Sequence, residues 1–242
     1  GIVYKGRKAI HWCIDCETAL AAAEIEYSDE VSPSIFVAYT YKDAAKVFPQ
    51  LEGRDVDIII WTTTPWTLPA SMAVAVHPRF DYGFYEVGDK VYLIAQGLKD
   101  KVIKATGLDL KEPIISCKGA ELELSKAMHP FYDKEVIVVL AEYVDLETGT
   151  GCVHTAPGHG TEDYETGVRY GIEIYNPVDE TGHYYPDTPL FAGMSLSEAE
   201  KKIFEILTES GKLLGKEKLS HSYPHCWRCK KPVIFRATEQ WF

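Results

Sequence analysis

Residues 57–76 read DIIIWTTTPWTLPASMAVAV, and this stretch decides the fold class of the chain. Its first five residues are mostly apolar and β-branched, as is typical of a strand buried on both faces. Residues 73–76 predict a second buried strand. Pro65 and Pro69 exclude a regular central ladder between the two, because proline has no N–H to donate. The stretch therefore predicts two buried strands joined by a stiff, threonine-rich loop.

The rest of the chain adds mainly strands. Alternating or continuous apolar patterns predict them at 35–39, 82–87, 90–94, 135–140 and 151–154. The alanine-rich segment 17–25 fits either a short helix or a strand, and both interpretations stay open.

Three helices are predicted. The first spans 98–106 and is stopped by Gly107; the second opens near Thr161, taken as its N-cap, and runs to residue 169 or 170. The third spans 196–210, where Ser195 and Glu198 are spaced as a capping box. These elements predict a β-rich α+β fold, a barrel with peripheral helices.

Composition limits the class of protein. The chain has 242 residues, of which 46% are hydrophobic and 25% charged, and no apolar run approaches the length of a membrane span. Membrane, fibrous and disordered classes are thereby excluded. The net charge of -11 argues against a generally basic nucleic-acid binder, yet residues 1–11 carry +3 and residues 211–236 carry +6. Both ends are therefore basic.

Four of the six cysteines form two pairs near opposite ends, Cys13-x-x-Cys16 and Cys226-x-x-Cys229. Two such knuckles can hold one zinc ion in a closed, tetrahedral, structural site. Disulfides or free thiols are the alternative, and His11, His221 or His225 could replace a thiolate. No signal peptide is apparent, so a reducing, cytoplasmic location is expected. Cys117 and Cys152 are predicted to be small buried residues.

A zinc site joining residues 13 and 229 would hold together the two ends of the intervening chain, as in a domain inserted into a longer protein. Both ends of the sequence are as expected if a longer chain had been cut at these two points. We expect an N-terminal leg with the first knuckle at 1–30, a central domain at 31–217 and a C-terminal leg with the second knuckle at 218–242.

The loop at 61–69 is the first of two segments whose side chains could take part in chemistry. Four threonine hydroxyls around two prolines could line a small polar cavity, since each hydroxyl both donates and accepts hydrogen bonds. Thr is also common near strand ends, so a plain connecting turn explains the same residues.

The second segment is 149–164, GTGCVHTAPGHGTEDY, which predicts a strand, a Pro-Gly turn and a helix start. Asp163 could merely complement the helix dipole. His154, His159 and Asp163 could suggest a hydrolytic set or a second metal site, but no nucleophile elbow and no His-Glu-x-x-His motif accompany them. The glycines match no phosphate loop.

Taken together, WTTTPWTLPA at 61–70 and GTGCVHTAPGHGTEDY at 149–164 closely resemble the editing domain, the connective insertion CP1, of isoleucyl-tRNA synthetases. Residues 11–27 and 221–242 are similar to the legs that join this insertion to the synthetase. Leucyl and valyl relatives carry Arg at the position of Thr64 and an acid at that of Trp66. No HIGH or KMSKS signature occurs, so aminoacylation by these residues is not expected.

The resemblance implies a double sieve, in which two separate pockets select the amino acid by size. Valine differs from isoleucine by one methylene, worth about 1–3 kcal/mol in a synthetic pocket, and isoleucyl enzymes are the standard illustration of that limit. A second pocket must then hydrolyse Val-tRNA(Ile), and valyl-adenylate is a further possible substrate. The implied partners are the acceptor end of tRNA(Ile) carrying valine and the rest of the synthetase chain, with no membrane.

The resemblance also implies residue roles. Asp163 would hold the substrate's amino group, and His154 would form the wall that excludes isoleucine. The ester and terminal adenosine would contact four threonines, which are Thr62, Thr63, Thr64 and Thr67. Trp61 also belongs to the implied substrate-binding set, in which it would mainly brace the loop. Water would attack without a covalent intermediate, and no cofactor is needed for hydrolysis. Ser71 replaces the usual Asn, which could loosen a hydrogen bond to substrate.

Two other functions stay open. A non-catalytic, zinc-stabilised RNA-docking module would explain the basic ends and the knuckles. A zinc-dependent hydrolase is disfavoured, because four sulfur ligands leave no open position on the metal.

Overall fold

The computed structural model describes Val3 and residues 5–241; residues 1, 2, 4 and 242, which belong to the two predicted legs, lie outside the described residues. The described residues form thirteen strands and four α-helices. The strands are β1 Lys5–Cys13, β2 Thr18–Ala19, β3 Ile25–Thr40, β4 Asp55–Thr62, β5 Ala73–Val76, β6 Asp81–Val87, β7 Lys90–Ala95, β8 Ile115–Lys118, β9 Lys126–Met128, β10 Glu135–Leu140, β11 Cys152–Thr155, β12 Leu213–Cys226 and β13 Ile234–Trp241. The helices are α1 Ala44–Val47, α2 Lys99–Thr106, α3 Thr161–Tyr170 and α4 Leu196–Glu209.

Ten strands form one curled, half-barrel sheet in which β8, β6, β7, β4, β11, β5, β10 and β9 are successive neighbours and β3 joins β4 to β12. Both faces of its centre are buried: Ile58 and Ile60 pack in the main core, while Ile59 packs in a second cluster with Phe36 and Tyr85. Burial on both faces explains why the β4 sequence is continuously apolar instead of alternating. The predicted β-rich α+β class is confirmed.

The two motif segments leave the sheet at the same edge. Strands β4 and β11 are parallel neighbours, with Val153 opposite Trp61. Because parallel strands run in one direction, their carboxyl ends, Thr62 and Thr155, lie side by side. The threonine loop and the Pro-Gly turn therefore begin next to each other, although about 90 residues separate them along the chain.

The two ends of the chain form an extension of the fold. Strands β3 and β12 pair as a long antiparallel ribbon from Val37 opposite Leu213 to Ile25 opposite Cys226. Beyond it, β13, β1 and β2 make a separate three-stranded sheet. The predicted boundaries at 30/31 and 217/218 fall within β3 and β12, and the three-part division stays a prediction.

The helix predictions hold with small corrections. Helix α2 ends at Gly107, whose φ of 72° is left-handed, and the Ser195–Glu198 capping box opens α4. The N-cap of α3 is Gly160, so the assignment of Thr161 as cap is wrong by one residue. The short helix α1 was not predicted, because a single turn is too brief to show a period. Segment 17–25 is not α-helical: it holds β2 and one 3-10 turn, Ala22–Glu24.

Within Val3 and residues 5–241, none of the helices combines the length and the apolar content that crossing a membrane requires.

Candidate functional site

A cleft of about 190 Å³ lies where the threonine loop faces the Pro-Gly turn. The residues that line it include all seven for which a catalytic or substrate-binding role is predicted. They are Trp61, Thr62, Thr63, Thr64, Thr67, His154 and Asp163, and they are joined by Val153, Ala156 and His159. The structure thus brings both motif segments together around one cavity; the roles of the residues stay a prediction.

The threonine loop is held by its own hydrogen bonds. After β4, Pro65–Ala70 forms a 3-10 helix with proline at its first position, where no N–H is needed. The Thr64 N–H donates to Thr62 Oγ1 at 3.1 Å, and the Thr67 hydroxyl donates to the Thr64 carbonyl at 2.8 Å. The Thr63 hydroxyl makes no hydrogen bond to another described residue. The loop therefore presents pre-positioned hydroxyls to the cleft.

Trp61 stands at the start of this loop, where contacts with β3 and with Gly149 fix its ring, and it also lines the cleft. Its indole Nε1 donates to Ser34 Oγ at 2.6 Å. Gly149, at a φ of 72°, lies against the ring so closely that a Cβ there would come within 3.0 Å of it. Only glycine combines that backbone conformation with that contact.

The Pro-Gly turn on the opposite wall is also tightly packed. A Cβ at Gly158 would fall 2.2 Å from the Tyr175 carbonyl oxygen, so no larger residue fits there. The Gly158 carbonyl accepts from the Ala237 N–H at 2.8 Å, and His159 Nδ1 lies 2.9 Å from the Phe235 carbonyl oxygen. Strand β13 of the C-terminal leg therefore supports this wall.

Asp163 lies in the first turn of α3 and is partly buried in the cleft. Its Oδ2 accepts from the Ala156 N–H at 2.8 Å and its Oδ1 from the Tyr143 hydroxyl at 3.2 Å. Burial raises the pKa of this carboxyl to about 6, against the lowering effect of those two hydrogen bonds. None of the ion pairs between described residues involves Asp163, so it is a carboxylate available to a cationic ligand.

His154 forms a rigid part of the wall. Its Nε2 lies 3.1 Å from Thr67 Oγ1, and its side chain is 5% exposed. Burial and, to a smaller extent, nearby His159 lower the pKa of His154 to about 4, so the ring is neutral near pH 7.

Ser71 does not line the cleft. It is fully buried, and its Oγ accepts from the Tyr39 hydroxyl at 3.1 Å. The expectation that a shorter side chain here loosens a contact with substrate is therefore replaced by a packing role behind the loop.

A larger cavity of about 300 Å³ adjoins the cleft on the side of the knuckles. Thr63 and Thr64 contribute to both, and the rest of its lining comes mainly from the ribbon, the knuckle region and α4. Its lining includes the carboxylates of Asp15, Glu30 and Glu200, of which Asp15 pairs with Lys231. The smaller cleft is the one that both motif segments line, and it is therefore the better candidate for chemistry.

The two cysteine pairs meet at the base of the ribbon. The sulfur atoms of Cys13, Cys16, Cys226 and Cys229 all lie within 4.8 Å of one another, and none forms a disulfide. The residue after each knuckle, Glu17 with φ 49° and Lys230 with φ 62°, is left-handed, so the two turns match. These four thiols could hold one metal ion.

The histidines considered as substitute ligands are engaged elsewhere. His221 Nε2 lies 3.0 Å from Ser32 Oγ, and His225 Nδ1 lies 2.9 Å from Ser28 Oγ. The His11 ring stacks obliquely on Phe235. The four-cysteine set is the one that the described residues support.

Three residues around the cleft carried no assigned role before. Val153, in β11, and Ala156, just after β11, line it, and the Tyr143 hydroxyl donates to Asp163 from a segment without a motif. No pattern in the sequence points to Tyr143, since its contact with Asp163 depends on tertiary packing.

A sequence model of the class I tRNA synthetases for I, L, M and V matches residues 1–242. The chain therefore belongs to that family. Within it, the chain is 53% identical over 244 residues to an isoleucine–tRNA ligase of Nitratidesulfovibrio vulgaris (strain DP4) and 51% identical over 243 residues to that of Geobacter sulfurreducens. Each match covers all of this chain but only 26% of the relative, so the chain spans about a quarter of these ligases.

Solved structures with the same fold are leucyl relatives. A leucyl-tRNA synthetase CP1 structure, GlLeuRS-CP1, superposes with a TM-score of 0.61 at 17% identity, covering 76% of this chain and 99% of that chain. The P. knowlesi cytosolic leucyl-tRNA synthetase editing domain gives 0.58 at 10% identity, covering 79% and 97%. The predicted resemblance to isoleucyl-tRNA synthetase editing domains is confirmed at the level of family and fold.

Proposed function

We propose that the chain is a post-transfer editing domain that hydrolyses the ester of Val-tRNA(Ile), as an inserted part of a cytoplasmic isoleucyl-tRNA synthetase. The observation that carries this proposal is the shared cleft: threonine hydroxyls lie on one wall, and a carboxylate without a cationic partner lies on the other. An aminoacyl ester offers the matching groups, an ammonium and a carbonyl. Valyl-adenylate carries the same groups and is a second candidate substrate.

In the proposed reaction Asp163 binds the α-ammonium and fixes the acyl carbon near Thr62, Thr63, Thr64 and Thr67. The hydroxyls of Thr62, Thr63 and Thr64 orient water toward the ester carbonyl and stabilise the developing oxyanion, while the Thr67 hydroxyl keeps its hydrogen bond to the Thr64 carbonyl. Water attacks the carbonyl carbon, the bond to the ribose oxygen breaks, and that oxygen takes up a proton released by the attacking water. A threonine without an activating base is a poor nucleophile. His154 lies next to the Thr67 hydroxyl, but that hydroxyl donates to the Thr64 carbonyl and not to His154, so no covalent intermediate forms.

One assay separates the three functions. Deacylation of Val-tRNA(Ile) and Ile-tRNA(Ile) by this chain is measured with and without a chelator, at a temperature at which the chain stays folded. Hydrolysis of the valyl ester alone, insensitive to the chelator, supports editing. Loss of hydrolysis on chelation with the fold intact identifies a metal-dependent hydrolase. Binding of tRNA without hydrolysis identifies a docking module.

The charges of the two legs favour editing over docking. Several of the leg cations already pair with acids of the same chain: Lys230 lies 2.6 Å from Glu26, Lys231 pairs with Asp15, and Arg236 lies 3.5 Å from Glu180. The positive charge that the sequence places at both ends is therefore partly neutralised, which reduces its attraction for phosphates.

The rate should depend on pH through Asp163. We expect kcat/KM to rise as the pH rises through about 6, because the ionised carboxylate binds the ammonium. It should fall again as the substrate's α-amino group loses its proton, near pH ~8. Burial lowers the pKa of both His154 and His159 to about 4, so neither titrates in this range. A pH profile of Val-tRNA(Ile) hydrolysis without a limb near pH 6 would contradict this role.

Zinc should bind at the knuckles and serve structure alone. Zinc–sulfur bonds of about 2.3 Å place four sulfurs at mutual distances that the cysteine cluster accommodates. We expect one equivalent of zinc per chain, lost in Cys229→Ser together with a lower melting temperature, and kept in Cys117→Ala, a buried cysteine outside the cluster. Metal analysis of the purified variants checks this. Zinc retained by Cys229→Ser, or absent from the unmodified chain, would exclude the site.

A further inference from the structure

The Asp163 carboxylate accepts hydrogen bonds from two different segments of the chain. Its Oδ2 accepts from the Ala156 N–H at 2.8 Å, just after β11, and its Oδ1 accepts from the Tyr143 hydroxyl at 3.2 Å, in the segment after β10. One donor on each oxygen fixes the plane of the carboxylate, which a single donor would leave free to turn. A carboxylate has about four lone-pair positions, so both bonds together leave acceptor capacity for a ligand in the cleft that Asp163 lines.

The Tyr143 side chain is itself held in place by packing. Its ring lies against a buried cluster that includes Val139, Ala141 and Val144. Burial raises the pKa of the Tyr143 hydroxyl well above its usual value, and the Asp163 charge raises it further, so the hydroxyl keeps its hydrogen while Asp163 titrates. Tyr143 is not part of the cleft lining that the described residues form, so its effect on a ligand there passes through Asp163.

The groups around Asp163 act on its charge in opposite directions. Burial raises the pKa of the carboxyl to about 6, while the Ala156 and Tyr143 hydrogen bonds act to lower it, because each bond favours the ionised form. Glu162 of the same helix raises it slightly. The two histidines of the cleft, His154 and His159, have pKa values lowered by burial to about 4 and are therefore neutral in the range in which Asp163 titrates.

We propose that Tyr143 is a positioning residue for the ammonium site, whose hydroxyl holds the Asp163 carboxylate in a single orientation. This inference rests on the proposed function, in which that carboxylate binds the substrate's α-ammonium. The same hydrogen bond keeps a largely buried carboxyl ionised at neutral pH, at which an aminoacyl ester still carries its ammonium. The substrate's amine and its anchor are then both charged in one range of pH.

Tyr143→Phe tests the inference, because it removes the hydroxyl and keeps the ring that packs behind Asp163. Loss of a hydrogen bond to a charged group should raise the pKa of Asp163 from about 6 to about 7. The acid limb of the kcat/KM profile for Val-tRNA(Ile) hydrolysis should move with it. Relative to the unmodified chain, kcat/KM should fall about fivefold at pH ~6 and less than about twofold at pH ~8, where the carboxyl is ionised in both chains.

Tyr170→Phe is the matched control, since Tyr170 lies on the same helix as Asp163 but its hydroxyl contacts the Leu140 N–H and the Glu123 carboxylate. We expect its acid limb to stay near pH 6. A loss of kcat/KM in Tyr143→Phe that is equal at both pH values, with the limb in place, would identify a structural defect and overturn the inference. An unchanged profile in Tyr143→Phe, or the same shift in Tyr170→Phe, would overturn it as well.

A titration of the Asp163 carboxyl carbon by ¹³C NMR gives a readout that does not depend on hydrolysis. The signal is assigned by its absence in Asp163→Asn, and its midpoint should lie near pH 6 in the unmodified chain and near pH ~7 in Tyr143→Phe. If the midpoint moves but the unmodified chain does not hydrolyse Val-tRNA(Ile), the proposed function fails and the effect of Tyr143 on the carboxylate stands. If the unmodified chain hydrolyses the ester and the midpoint does not move, only this inference fails.

Discussion

Asp163→Asn should lower kcat/KM for Val-tRNA(Ile) hydrolysis by at least about 100-fold, because it removes the charge that holds the substrate's ammonium. Truncating one partner of a buried, hydrogen-bonded charge pair typically costs about 2–5 kcal/mol, and 2.7 kcal/mol corresponds to that factor. The amide oxygen can still accept from the Ala156 N–H, so the first turn of α3 keeps its anchor. The measurement is single-turnover deacylation alongside circular dichroism.

The matched control for Asp163→Asn is Glu162→Gln, an exposed neighbour of the same charge that does not line the cleft. We expect its activity to stay within about twofold of the unmodified chain, because an exposed charge is largely screened by solvent. Activity of Asp163→Asn within about tenfold of the unmodified chain would show that the ammonium is held by another group.

His154→Ala should remove the selection against isoleucine. The ring is fixed by its bond to Thr67 and by burial, so it presents a wall that cannot yield to a larger side chain. Alanine leaves space for the extra methylene of isoleucine. The ratio of valyl to isoleucyl ester hydrolysis should therefore fall at least about tenfold, which lies within the range of discrimination that one methylene provides. Hydrolysis rates of Val-tRNA(Ile) and Ile-tRNA(Ile) measured in parallel give this ratio.

The conservative variant for this prediction is Thr67→Ser, which keeps the hydroxyl that anchors His154. Its selectivity should match that of the unmodified chain, because the wall stays in place. An unchanged ratio in His154→Ala, with the fold intact, would place the wall elsewhere in the cleft.

The parts of the fold that follow from local chemistry were predictable. Buried runs such as 57–61 and 73–76 became β4 and β5, and the glycine and capping signals at Gly107 and Ser195 mark true helix ends. The long β3–β12 ribbon was missed, since its half-exposed residues show no clear alternation and it contains Pro33 and Pro224.

The site followed from resemblance more than from spacing. The pairing of Val153 with Trp61 brings the two motifs together, and such non-local pairing leaves no periodic signal in the sequence. Taken alone, the threonine loop fitted a plain turn and Asp163 fitted a helix-dipole partner. His159 has no motif that would mark it as a catalytic base or metal ligand, and its contact with the Phe235 carbonyl depends on tertiary packing.

A crystal structure of this chain with 3′-(L-valylamino)-3′-deoxyadenosine bound would test the proposed site most directly. We expect the ammonium at Asp163, the isopropyl group against His154 and the acyl carbonyl beside the threonine loop, with the adenosine extending past Thr63 and Thr64. Binding of the valyl group only in the larger cavity beside the knuckles, with the cleft at Asp163 left without ligand, would contradict it.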